Sequence, residues 1–106
     1  MVTAVTFVLQ VLDGGPDCEG QFDLVEDCLM VGRHVTADVV LINRTVNKNH
    51  AVLTRTEDGY VVEDWRSRSG TFVNGVQIKG AVLLNDGDII HMGSVKLLYH
   101  YKAAKA

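Results

Sequence analysis

A chain of 106 residues with 47% hydrophobic and 22% charged positions can bury roughly two-thirds of its unfolded surface, which excludes a disordered polymer and removes the need for disulfide or metal staples. The formal net charge of −3 argues against a nucleic-acid or anionic-membrane surface as partner. One proline, Pro16, and no Ser/Gly-rich run leave no linker, so a single domain is expected over 1–106, with 102–106 as a frayed tail.

Thr3–Leu12 opens the chain as a strand: Phe7, Leu9 and Val11 share one face at a period of two, with Thr6 and Gln10 on the other. The stretch is too short to span a bilayer and lacks the basic flank of a signal peptide. Gln21–Val25 and Cys28–Val31 follow. If they form a hairpin, Cys18 and Cys28 are not opposed, so both are expected as free thiols in a reducing, cytoplasmic setting. Asp38–Leu41, His50–Arg55 and Tyr60–Asp64 come next, the last two divided by Asp58-Gly59. Thr71–Val73 and Val76–Ile78 flank Asn74-Gly75, a strong hairpin signal because both turn positions need φ > 0. Asp88–His91 follows Asp86-Gly87, and Val95, Leu97, Tyr99 and Tyr101 alternate with Lys96, Leu98 and His100 at the end. No window carries a helical apolar stripe. Roughly ten short strands without a helix need two facing sheets, so the fold class is all-β, a sandwich.

Charge is uneven along this framework. Residues 1–32 hold six acids and no Lys or Arg, whereas residues 33–68 hold six cations against five acids. Three polar loops carry the cations. Gly32-Arg33 ends a strand, Val46-Asn47-Lys48-Asn49-His50-Ala51 runs into one, and Ser67-Arg68-Ser69-Gly70-Thr71 opens a hairpin. Loops at one end of a rigid sandwich are the usual place for binding residues. If the three converge, they bring Arg33, Lys48 and Arg68 together with the donors Asn47 and Ser69. A phosphate monoester asks for this chemistry: nearly two negative charges and only acceptor oxygens, which a planar guanidinium fork grips in two parallel bonds.

Other chemistries find no support. The histidines and cysteines show no metal-ligand spacing, and Asp86-Gly-Asp88 lacks the further acids of a calcium loop. No nucleophile stands beside a ready base, so no catalysis, metal or cofactor is expected. His50 reads as a hydrogen-bonded structural residue, and Asn74-Gly75 as turn chemistry.

Several of these segments, in order, resemble the signature of the forkhead-associated (FHA) family. Gly32-Arg33 matches its Gly-Arg, and Ala37-Asp38-Val39-Val40-Leu41 resembles its Asn-Asp-Ile-x-Leu. Asn49-His50-Ala51 carries its x-His-Ala. Asp64 through Gly75 resembles Asp-x-x-Ser-x-Asn-Gly-Thr-x-Val-Asn-Gly, and Leu84 through Ile89 resembles Leu-x-x-Gly-Asp-x-Ile. Leu12 through Phe22 is similar to the opening hairpin of many bacterial members. The resemblance implies an FHA-like β-sandwich of about eleven strands that binds phosphothreonine peptides through apical loops. It further implies that Arg33 grips the phosphate and that Asn47, in place of the family's serine, and Lys48 line the site. Arg68 would add charge, beside Ser69 at the position of the family's asparagine. Arg44 and Thr45 fall where the family selects a neighbouring ligand residue, and Gly32, His50, Gly70, Thr71 and Asn74 are scaffold.

Two functions follow as expectations. The first is an adaptor for a phosphothreonine-containing protein or peptide, a mode for which this family is a standard example. Asn47 and Ser69 depart from the family's ligand chemistry and motivate the alternative, a phosphate-independent structural or assembly module. The chain is expected as a monomer, with self-association open.

Overall fold

A computed structural model describes residues 5–103. Eleven strands form the order β1 (Val5–Asp13), β2 (Gln21–Leu24), β3 (Cys28–Gly32), β4 (Val39–Val40), β5 (Ala51–Thr56), β6 (Gly59–Asp64), β7 (Thr71–Val73), β8 (Val76–Gln77), β9 (Val82–Leu83), β10 (Ile89–Met92) and β11 (Val95–Ala103). They make two sheets, β2-β1-β11-β10-β7-β8 and β4-β3-β5-β6-β9. Every pairing is antiparallel except β3 with β4. The all-β sandwich is as expected, and no helix occurs among the described residues.

The core forms where the period-two faces meet. Phe7 and Leu9 of β1, Leu97 and Tyr99 of β11, and Ile90 and Met92 of β10 pack against Leu29, Val31, Leu53, Tyr60 and Val62 of the other sheet. Alternation alone misplaces one residue. Val8 projects to the outer face with Thr6 and Gln10, yet it is fully buried, paired across the sheet with Asp23 and His100. A central strand flanked on both sides covers even its outward apolar side chains.

Two expectations change. Gln21–Leu24 and Cys28–Gly32 are not a hairpin: β2 pairs with β1 and β3 with β5, so Val25–Asp27 carries the chain from one sheet to the other. Both cysteines are nevertheless free thiols, Cys18 buried and Cys28 exposed. Val82–Leu83 adds an edge strand beside β6 that the sequence pattern does not reveal. The Asn74-Gly75 turn has φ of 51° and 83°, as its residue types require.

The sandwich has two poles. At one, Val5 pairs with Ala103, and Phe7, Tyr60, Tyr99 and Tyr101 form an aromatic cluster capped by the Arg55 guanidinium, 4.8 Å from the Phe7 centroid. At the other pole, β3, β6 and β10 end and β5, β7 and β11 begin. The cationic loops emerge there.

Candidate functional site

The loops at this pole are held together from beneath. Gly32 stands where the β4–β5 loop crosses the end of β3, and a Cβ there would land on the Lys48 carbonyl oxygen, 2.8 Å from its carbonyl carbon. The close approach allows Arg33 N–H to donate to Asn47 O (2.9 Å) and His34 N–H to Lys48 O (3.4 Å). His50, fully buried, ties two loops at once. Its Nδ1 accepts from Asn47 N–H (3.1 Å), which leaves Nε2–H to donate to Gly70 O (2.9 Å). The network fixes the tautomer, and the imidazole is a strut rather than a ligand.

Asp64 organises the β6–β7 loop. Its carboxylate accepts from Ser67 N–H (3.0 Å), Ser67 Oγ (2.6 Å) and Thr71 Oγ1 (2.7 Å), and Ser67 Oγ accepts from Gly70 N–H (2.8 Å). Burial works to raise the Asp64 pKa, but the bonds from Ser67 and Thr71 outweigh it and hold the carboxyl below its ordinary value. The loop closes with Arg66 at φ 53° and Gly70 at φ 85°. Asn43 does similar work on the neighbouring loop. Its Oδ1 accepts from Thr45 N–H (2.9 Å) and Thr45 Oγ1 (2.6 Å), while its Nδ2 donates to Gly14 O (3.0 Å). Thr45 Oγ1 in turn accepts from Ser94 N–H (2.8 Å).

On this base lies a hollow of about 710 Å³ whose wall includes Arg33, Arg44, Thr45, Asn47, Lys48, Trp65, Arg68 and Ser69. All seven ligand-contacting or selecting positions expected from the sequence therefore meet in one place. Four cations line the hollow and no carboxylate does. Arg33 Nε donates to Val46 O (2.9 Å), which aims the guanidinium and leaves its terminal nitrogens for a ligand. Asn47 Oδ1 accepts from Arg68 N–H (3.2 Å), so its amide nitrogen is the group it can offer an anion. That bond also couples the two cationic loops. Thr45 reaches the wall with its hydroxyl already engaged by Asn43 and Ser94.

The scaffold residues sit below or aside. Gly32, His50, Gly70 and Thr71 are buried. Asn74 stands apart, donating to Asp88 Oδ1 (3.0 Å) and accepting from Ile89 N–H (2.9 Å) to pin the β7–β8 turn onto β10. Sequence reasoning passed over two residues. Trp65, 53% exposed, stands in the wall of the hollow, and a lone tryptophan inside a polar loop was the available signal. Asn43 gave no signal at all, because its role depends on the turn before β11.

The family model described as FHA domain matches residues 29–93, a span that holds all three cationic loops. The chain belongs to the FHA family. This FHA domain is 35% identical over 91 residues to the oxoglutarate dehydrogenase inhibitor of Corynebacterium jeikeium, covering 86% of this chain and 62% of that protein. It is 33% identical to the glycogen accumulation regulator GarA of Mycobacterium tuberculosis, covering 86% of this chain and 56% of GarA. The chain thus spans less than two-thirds of the length of these relatives. Among solved structures, Mycobacterium tuberculosis EmbR in complex with a low-affinity phosphopeptide superposes with a TM-score of 0.82 at 30% identity, covering 95% of this chain and 26% of that one.

Proposed function

We propose that this FHA domain is a non-catalytic adaptor that captures a phosphothreonine-containing protein segment at the pole formed by Arg33, Asn47, Lys48, Arg68 and Ser69, with Arg44 and Thr45 reading a neighbouring ligand residue. The observation that carries this reading is the Arg33 guanidinium, anchored by one nitrogen to Val46 O and open at the others, in a hollow of four cations and no acid. A phosphoryl dianion matches that charge and donor set. The phosphopeptide complex of EmbR, a relative by both sequence and structure, supports the same ligand class. Two free thiols fit a reducing compartment, which we take to be the cytoplasm.

Each hydrogen bond to the charged phosphate contributes about 1.5–3 kcal/mol, so two or three of them with peptide contacts reach micromolar affinity, on the order of −8 kcal/mol. Calorimetric titration of one peptide in phosphorylated and unphosphorylated form tests the reading. Binding is expected only with the phosphate, and Arg33→Ala removes the gain. Equal affinity for the two forms overturns it and favours a phosphate-independent assembly module.

A further inference from the structure

Trp65 is not part of the phosphate-gripping set, yet it lines two hollows of different character. One is the cationic hollow, with Arg33, Arg44, Lys48 and Arg68 and no carboxylate. The other is a smaller hollow of about 370 Å³ lined by Glu63, Asp64, Trp65 and Arg66, where acids outnumber cations. The indole is 53% exposed, while its backbone is fixed: Trp65 N–H donates to His50 O at 2.8 Å. The Asp64 oxygens are spent on Ser67 and Thr71. Exposed Glu63 therefore supplies the uncommitted carboxylate of the hollow that Trp65 also lines. An aromatic side chain sharing a hollow with a free carboxylate, a short step from a phosphate site, favours a cationic side chain with an apolar stem.

Resting on the phosphothreonine reading, we propose that Trp65 is a specificity-determining residue: its indole takes the side chain of a Lys or Arg near the phosphothreonine in the same bound segment, with the Glu63 carboxylate facing the cationic head. The ligand class is then a phosphothreonine segment with a basic neighbour.

The test is a lysine scan of a phosphothreonine peptide otherwise made of alanine and glycine, read by fluorescence anisotropy as the affinity of each lysine peptide relative to its alanine counterpart. At one or two positions lysine is expected to bind about two- to fivefold more tightly, the size of an exposed cation–π contact. Trp65→Leu should bring that ratio to one, and Glu63→Gln should lower it. A flat scan overturns the proposal, as does a lysine preference that survives both substitutions. The unphosphorylated alanine peptide separates the two levels. If it binds as well as the phosphorylated form, the phosphate reading fails and this one with it; if phosphate matters but lysine does not, only this one fails.

Discussion

Replacing Gly32 by alanine probes the joint on which the site depends. The added Cβ would collide with the Lys48 carbonyl and stand 3.2 Å from Asn47 O. These are backbone atoms, which no rotamer change can move aside. The β4–β5 loop must retreat, stretching the bonds Arg33 N–H to Asn47 O and His34 N–H to Lys48 O. Overpacking of this kind costs about 1–3 kcal/mol and one lost hydrogen bond about 0.5–1.5 kcal/mol, for a total of about 2–4 kcal/mol. In a domain of this size that lowers Tm by roughly 10–25 °C. Phosphopeptide affinity should fall at least about tenfold as well, because the retreat carries Asn47 and Lys48 away from Arg33. Gly80→Ala is the control, since its Cβ meets nothing within 4 Å, and it should change stability by less than about 0.5 kcal/mol. Urea unfolding with parallel peptide titration reads both quantities. A Gly32→Ala protein as stable as the Gly80→Ala control would refute the idea that this close approach sets the loop.

Asp64→Asn leaves the Ser67 and Thr71 donors facing an amide, and should cost about 1–3 kcal/mol in chemical denaturation. Because the Asp64 carboxyl titrates below its ordinary value in the folded chain, its contribution is complete above the unfolded carboxylate pKa of about 4 and is lost as pH falls through the lower folded value. Acid unfolding of Asp64→Asn should lack that component, and identical acid profiles would contradict it. His50→Ala removes both bridges, Asn47 N–H to Nδ1 and Nε2–H to Gly70 O. It should lower stability by about 2–4 kcal/mol and weaken phosphopeptide binding together, as thermal melts and titration would report. Trp65 is the sole tryptophan and lines the hollow, so its emission should shift on phosphopeptide titration and stay constant with the unphosphorylated peptide.

The strands were legible because Gly, Asn and Asp punctuate them: Asp58-Gly59, Asn74-Gly75 and Asp86-Gly87 each stand at a turn the structure contains. Val82–Leu83 escaped because two residues in an apolar run show no alternation. The sheet assignment of β2 and β3 escaped because a three-residue connection fits a hairpin and a crossover equally well. For the site, charge and order along three loops marked Arg33, Lys48 and Arg68 as a set, and the family resemblance implied their shared pole. What the pattern could not encode was the material between them. The Asn47–Arg68 bond and the Asn43–Thr45–Ser94 cluster join segments distant in sequence, and the exposure of Trp65 depends on where β6 stops.

Val5 pairs with Ala103 at the pole remote from the hollow. β1 alone is nine residues long, about 30 Å at ~3.3 Å per residue. Any covalently attached phosphosegment must climb that distance before it can dock. A tether shorter than about nine extended residues therefore restricts the domain to ligands on other molecules, whereas a longer one brings occlusion by the chain's own extension within reach.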